Sequence, residues 1–591
     1  MILTPSAGWS QDTALNSLKE LAAAKKVSRS PQWLRLGHYR HKPLGGYESP
    51  LRGNFFIAPD GNTDPEAELN ATIDLLFSDD SQKRFSQCRY LARTTWLKAV
   101  LNIPESRLAT CSERDQWKEQ LGATELYIIF ASSDLNSAGS SFGHTFLRVH
   151  NPKNKKEREL LDYGVNYAAI TGTDGGALYA LKGLFGFYPG AYSMLPYHQK
   201  IQEYSNLEGR SLWEYKLALS PLEVEFIINH LLELEGSFAP YFFLSDNCSQ
   251  QIIELIEVAK PSIPLSDHFR GATIPLDTVK VLNSYGLLSD EKTRPSLQSE
   301  WRTRFAGLNR HQKSKLNELV KNNQPDLLSD LSSSEQAEVL EAGLSYLAVK
   351  SYRDRNDLKN EKYRLSVARA QLGSQTQPII LPRSKSPLLS PDSQALYLGY
   401  GANDELPYLR FKYRRAFHDI LADDSGLSPF SHLEILSAEF RYFTETPRLD
   451  LHQLVILQSL STVPVTQFEA PYSWKVDLGT QPKLLPYLHF GVGYSYDLPL
   501  LDASRVTLLA VADNHALTER PESFLGGELL FMSRLWNFRS IYSAKLLQDL
   551  QLGRGLIEHS FGVSYSPSKI SFRLEGKLRE SQPEWNISVS F

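Results

Sequence analysis

Nowhere in the 591 residues do about eighteen apolar side chains follow one another, so no helix of this chain is expected to span a membrane. The N-terminus, "MILTPSAGWSQD", lacks the basic start and apolar stretch of a secretory leader, so an exported form of this chain is expected to be the mature one. Charge of one sign is missing too. Against 63 Lys and Arg stand 67 Asp and Glu, a net −4, whereas a nucleic-acid binder needs a strongly positive face. No group of His, Cys and carboxylates has metal-ligand spacing, and the glycine-rich "GTDGGALYALKGLFGFYPGAY" lacks the lysine and spacing of a phosphate loop. Neither a metal nor another cofactor is expected.

Cysteine is scarce: Cys88, Cys111 and Cys248. The first two flank a short helical segment and, if oxidised, would close a loop worth roughly 3 kcal/mol. The alternative is a pair of ordinary buried thiols. A disulfide there implies export, and it leaves Cys248 as an odd thiol in an oxidising compartment.

The length calls for two to four folding units. Residues 1–79 read as a helical and irregular region, 80–262 as an α+β unit alternating strands with helices, and 263–373 as charged and mainly helical. A Ser/Pro-rich linker, 374–393, follows.

From there to Phe591 the pattern is one of strands in steps of roughly sixteen residues. In "YLHFGVGYSYD", Leu488, Phe490, Val492, Tyr494 and Tyr496 alternate with small or polar residues, and in "ISFRLEGKL" Ile570, Phe572 and Leu574 do the same. About twelve such segments can be counted. A soluble barrel would turn the apolar set inward. The opposite set contains Arg410, Lys412, Arg414, Glu439, Arg441, Arg573, Glu575 and Lys577, too many charges for a packed interior and suited to a wet lumen. Tyr and Phe often sit near segment ends, as interfacial girdles do. The final "EWNISVSF" is similar to the C-terminal signal of outer-membrane barrels. An antiparallel transmembrane β-barrel at residues 394–591 is therefore expected.

Two short stretches carry the chemistry. In "LSDNCSQQIIELIE", Ser245, Asp246 and Asn247 are all competent helix caps, Cys248 falls in the first turn, and Ile252, Ile253 and Ile256 form a buried stripe. A helix N-terminus favours thiolate, and its free amides suit an oxyanion. In "FGHTFLRV", His144 opens a strand behind small residues that would let a substrate approach. The next strand, "ELLDYGVNY", offers Asp162 or Asn166 to orient the imidazole. Asp162 is preferred, because a carboxylate also stabilises imidazolium. Asn166, Asn247, Tyr188 and Tyr192 are candidate substrate contacts, the two tyrosines on a flexible flap. His198 and His230 have no such context and read as a surface and a helix-face residue.

A strand-borne His, a polar residue on the adjoining strand and then "NC" opening a helix resemble the circularly permuted papain-like fold of NlpC-type peptidases and lecithin:retinol acyltransferase relatives. More narrowly, "SSDLNSAGSSFGHTFLRV", "LLDYGVNYAA", "SDNCSQQI" and the upstream "CRYLARTTWL" resemble the N-terminal periplasmic domain of Lnb-type lipoprotein N-acyltransferases over residues 80–260. The resemblance implies an acyl-transfer centre at Cys248 and His144. Those acyltransferases continue into membrane helices, whereas this chain continues into a barrel. The expectation is a bacterial outer-membrane protein whose periplasmic cysteine acyltransferase or hydrolase acts on lipid or lipoprotein beside the membrane lipid, with no nucleic-acid partner. A peptidoglycan endopeptidase of the same fold and a non-enzymatic barrel with an inert periplasmic domain are the alternatives.

Overall fold

The computed structural model describes the chain except residues 1–10, 133–141, 155, 175, 270, 374–384, 404–405, 499, 502, 516–521 and 568. The small-residue run before His144 lies largely outside the described residues, as does much of the linker. The chain forms two compact units, one of Met1–Ala131 with Gly143–Ser299, the other mainly Glu300–Phe591.

The first unit is built on an eight-stranded sheet. A separate small hairpin, β1 (Arg40–His41) with β2 (Tyr47–Glu48), precedes it. The sheet strands are β3 (Arg52–Gly53), β4 (Glu125–Ala131), β5 (His144–His150), β6 (Tyr163–Ala169), β7 (Tyr188–Pro196), β8 (Leu212–Leu217), β9 (Ser237–Tyr241) and β10 (Leu288–Arg294). They lie in the order β10-β8-β4-β5-β6-β7-β9-β3, every neighbouring pair antiparallel. Central β4 and β5 are almost continuously buried, as strands covered on both faces must be.

The break expected after residue 262 falls inside this unit. "LSDEKTR" becomes edge strand β10, whose largely exposed side chains suit an outermost position on the sheet. The N-terminal region belongs to the same unit. Its helix Pro65–Leu76 starts on an Asp64 cap that accepts from the amides of Glu66 and Ala67, with Pro65 where no donor is needed. Leu69, Ile73 and Leu76 from that helix pack with Trp33, Leu97 and Leu101 in one core. Cys88 and Cys111 are joined by a disulfide, S–S 1.99 Å.

The second unit contains a closed antiparallel barrel of twelve strands, from β11 (Gln394–Asn403) to β22 (Gln582–Ser590), which pair to close it. Phe490, Val492, Tyr494, Phe572 and Leu574 face outward and are exposed, while Arg410, Arg414, Glu439, Arg441 and Arg573 are buried inside. Inward charges meet opposite ones: Arg410–Glu439 at 2.8 Å, Lys412–Glu434 at 3.0 Å, Lys475–Glu528 at 3.1 Å, Lys545–Asp513 at 2.9 Å. An apolar exterior around an ion-paired interior is the arrangement of a barrel solvated by lipid.

The two rims differ. At the rim where β11 begins and β22 ends, the connection 419–431 between β12 (Leu406–His418) and β13 (His432–Phe443) folds into the lumen. Asp419 pairs with Arg573 at 2.6 Å and with Arg414, Asp424 pairs with Arg534 at 3.0 Å, and Ile420 and Phe430 pack on a lumenal cluster that includes Leu509, Leu530, Met532 and Leu547. A cavity of about 340 Å³ remains, lined by Arg410, Lys412, Glu434, Lys475 and Glu528 among others. At the same rim the connection 462–472 holds the helical part of the unit: Phe468 packs on Trp301 and Tyr346, and Glu469 pairs with Arg353 at 3.0 Å. The other rim has short connections, such as 444–447, 550–554 and 580–581.

Candidate active site

The helix Cys248–Glu257 begins at Asn247, whose carbonyl oxygen accepts from the amides of Ser249 (3.0 Å) and Gln250 (3.3 Å). The Asn247 amide nitrogen donates to the carbonyls of Phe243 (3.1 Å) and Thr273 (2.7 Å), so the side chain is wholly committed to shaping the turn. It is a helix cap, and its polar atoms already have partners where a substrate contact was expected. Ile252, Ile253 and Ile256 are fully buried beneath the helix.

Cys248 sits at the first helical position, 3% exposed, with the His144 imidazole at the start of β5 near enough to act on the ionisation of its thiol. The imidazole Nε2 donates to Oδ1 of Asn166 at 2.6 Å, so the ring nitrogen left for the sulfur is Nδ1. Tyr204 stacks on the other side of the imidazole, ring centroids 5.3 Å apart. Ser249 Oγ lies 3.6 Å from the sulfur and accepts from Thr145 Oγ1 at 2.8 Å.

Burial alone would keep the Cys248 thiol protonated. The neighbouring imidazole, the Thr145 amide and the Ser249 hydroxyl outweigh it and bring the thiol down to about 6. Burial likewise works against a charged His144, but the thiolate and the Asn166 carbonyl raise its pKa above the ordinary imidazole value. The two shifts describe one proton shared by a coupled pair and favour thiolate–imidazolium.

Asn166, rather than Asp162, orients the imidazole, and the strand register is the reason. β5 and β6 pair Leu147 with Val165 and Val149 with Tyr163, which sets Asn166 diagonally from His144 on one face and Asp162 level with His150. Six residues of strand separate His144 from His150, about 20 Å. The buried Asp162 carboxylate accordingly meets His150 (2.8 Å), Asn154 (2.9 Å) and Arg148 (3.5 Å).

The glycine-rich stretch expected as a flexible flap is a helix, Gly176–Leu184, followed by β7. Its tyrosines bond within the chain: Tyr188 donates to Asp174 (2.8 Å) and Tyr192 to the Gln251 carbonyl (2.7 Å). His198 is exposed, whereas His230 is fully buried.

Sequence reading missed three features. Tyr241, at the end of β9, accepts the Cys248 amide at 3.2 Å. With Ser249 and Gln250 donating to Asn247, the first-turn amides expected to face an oxyanion already have partners. Burial holds the Tyr241 hydroxyl protonated well above the usual phenol range, so it remains a donor. Tyr204 is the second. The third is a buried chain of polar groups behind the helix: Glu254 binds Arg40 (2.7 Å), His38 (3.0 Å) and Gln250 (2.8 Å), His38 meets His230 (3.1 Å), and His230 meets Glu233 (3.2 Å). Through it the N-terminal segment grips the helix that carries Cys248. Among the described residues no cluster is arranged to hold a metal ion.

The fold and this site define an α+β domain with a buried cysteine and, near it, a half-buried histidine, carried by a chain whose other unit contains an outer-membrane β-barrel. Residues 113–285 match the Lnb N-terminal periplasmic domain. Residues 25–100 and 384–581 match two domains of unknown function, DUF7843 and DUF7840. The periplasmic family and the lipid-solvated barrel together place the chain in the outer membrane with its N-terminal domain in the periplasm. Its barrel is similar to the KdgM porin (14% identity, 33% of this chain and 98% of that one, TM-score 0.22) and the NanC porin (10% identity, 34% and 98%, TM-score 0.22). A mutant Rh. blastica porin matches at 7% identity over 34% and 98%, TM-score 0.14. No curated protein matches the chain.

Proposed function

We propose that the periplasmic domain is a cysteine acyltransferase or hydrolase acting on an acylated lipid or lipoprotein. The observation that carries this reading is the imidazole of His144 fixed by Asn166 at 2.6 Å, in keeping with a Cys248 thiol brought down to about 6 by that imidazole. In the proposed reaction the Cys248 thiolate attacks an ester or amide carbonyl, and a C–S bond forms as the carbonyl π pair moves to oxygen. Tyr241 supplies a hydroxyl donor to that oxygen. Collapse expels the alcohol or amine, which takes its proton from His144, leaving a thioester. An incoming amine or water then gives a proton to His144, attacks the thioester and releases the thiolate. Asn166 holds the ring through both halves without changing charge.

The test is intact-mass analysis of the full-length protein purified from membranes, together with iodoacetamide alkylation at neutral pH. An acyl mass on Cys248 and alkylation lost in Cys248→Ser support the reading; undiminished alkylation of that variant would falsify it. Release of peptide fragments from purified peptidoglycan, with no acyl adduct, would assign the same thiol to an endopeptidase.

A further inference from the structure

The connection from β6 to β7 is apolar beyond what the domain core requires. From Tyr163 to Tyr197 the sequence contains two charged side chains, Asp174 and Lys182, and these pair with each other at 2.8 Å while Tyr188 donates to the same carboxylate. The segment therefore presents no unmatched charge.

Its helix, Gly176–Leu184, has two faces. On one, Tyr179 and Gly183 meet Phe243, with ring centroids 5.0 Å apart for the Tyr179–Phe243 pair. A Cβ at residue 183 would lie 2.2 Å from the Phe243 ring, so only glycine permits this approach. The Phe243 amide also donates to the Gly183 carbonyl at 2.9 Å. Phe243 lies five residues before Cys248, so the helix is bound to the turn that leads into the nucleophile. On the opposite face Leu178 and Leu181 are each 53% exposed and Leu184 44%, continuing into Phe185 at 66% and Phe187 at 72%, with Ile170 beside them at 60%. Spacing of three and four residues puts Leu178, Leu181 and Phe185 on one stripe.

A contiguous apolar ridge on a soluble surface marks a contact with another phase or partner. The chain itself says which, because its barrel fixes the periplasmic unit by a covalent tether to a bilayer. Lipid matches a ridge with no unmatched charge, whereas protein interfaces are generally rimmed by polar and charged groups. We propose that this ridge inserts into the interfacial region of the periplasm-facing leaflet, with Leu178, Leu181, Phe185 and Phe187 among the acyl chains. It would hold the turn that leads into Cys248 at the lipid surface, which deepens the reading above by making a membrane-resident acyl group the substrate. The insertion itself requires no reaction at Cys248.

The experiment uses the full chain reconstituted in phosphatidylethanolamine/phosphatidylglycerol vesicles. An environment-sensitive NBD probe is placed on Phe187→Cys in a Cys248→Ser background, with Leu222→Cys, 78% exposed on another helix, as the reference position. At 187 the emission is expected to be blue-shifted and quenched by shallow doxyl lipids, and at 222 to be water-like. Water-like emission at 187 overturns the proposal. So does a blue shift without lipid quenching, which would mean a protein partner or a second copy. A second arm uses Leu181→Asp/Phe187→Asp with intact Cys248. Turnover of a vesicle-borne acyl substrate should drop by about tenfold or more while a short soluble thioester is processed within about twofold of wild type. Equal loss on both substrates overturns the link to catalysis. No turnover of either by wild type would fail the proposed activity and leave the probe result to decide insertion.

Discussion

The two units bury charge for opposite reasons. In the barrel, inward Arg, Lys, Asp and Glu are matched pair by pair, so their fields cancel within a lumen. At Cys248 the balance is left open: a thiol and an imidazole share one proton, and the third member, Asn166, is neutral. A full carboxylate at that position would hold the proton on the imidazole more firmly. An amide fixes the ring and leaves the proton mobile. Charges locked in fixed pairs build a scaffold, whereas a thiol–imidazole pair beside a neutral amide keeps a proton that can move.

The largest effect expected from breaking this contrast is at Cys248. Cys248→Ala should lower acyl turnover by about a thousandfold or more, while the barrel keeps its heat-modifiable migration on gels; loss of the folded barrel band in this variant would contradict two separately built systems. Next comes Asp162→Ala, which removes a partner of buried Arg148 and His150. It should destabilise the periplasmic unit by about 3 kcal/mol in denaturant titration, yet leave the pH dependence of Cys248 alkylation unchanged. Asn166→Ala should do the reverse, cutting turnover by roughly ten- to a hundredfold with little change in midpoint. If the two variants exchange phenotypes, the register argument is wrong. On the cancelled side, Val492→Arg on the lipid face should cost roughly 2–4 kcal/mol of barrel stability, measured by refolding into vesicles.

The pH profile sharpens the same contrast more gently. Cys248 alkylation should rise through about pH 6, as the thiol ionises below its ordinary range. Turnover should then decline as His144 loses its proton above the usual imidazole value. In His144→Ala the alkylation midpoint should move upward, because burial then acts on the thiol without the imidazole to oppose it. A midpoint that stays near 6 would mean the helix end and not the imidazole activates the sulfur.

The barrel was legible because its period of two and its solvent are both written locally: every second residue reports the face it serves, and Arg410, Arg441 and Arg573 on one face exclude a dry interior. The helix that carries Cys248 was legible for a similar reason, since Asn247 and the Ile252, Ile253, Ile256 stripe are neighbours in sequence. What escaped depends on pairing across distance. Choosing between Asp162 and Asn166 needs the β5–β6 register, which a single strand does not encode. Edge strand β10 carries charges that look helical until β8 is placed beside it, and the grip of His38 and Arg40 on Glu254 joins residues more than two hundred positions apart. The inserted connection "DILADDSGLSPF" has the composition of an ordinary turn; only the lumenal partners of Asp419 and Asp424 reveal its place.

The unequal rims bear on how the cell surface meets its surroundings. With the longer described connections at the rim where the chain enters from the periplasmic unit, and short ones such as 444–447 and 580–581 at the opposite end, little of the described polypeptide protrudes beyond the envelope. Antibodies, bacteriophage tails and secreted proteases are therefore offered almost no handle, and shaving intact cells with trypsin should leave the chain at full length until the envelope is breached.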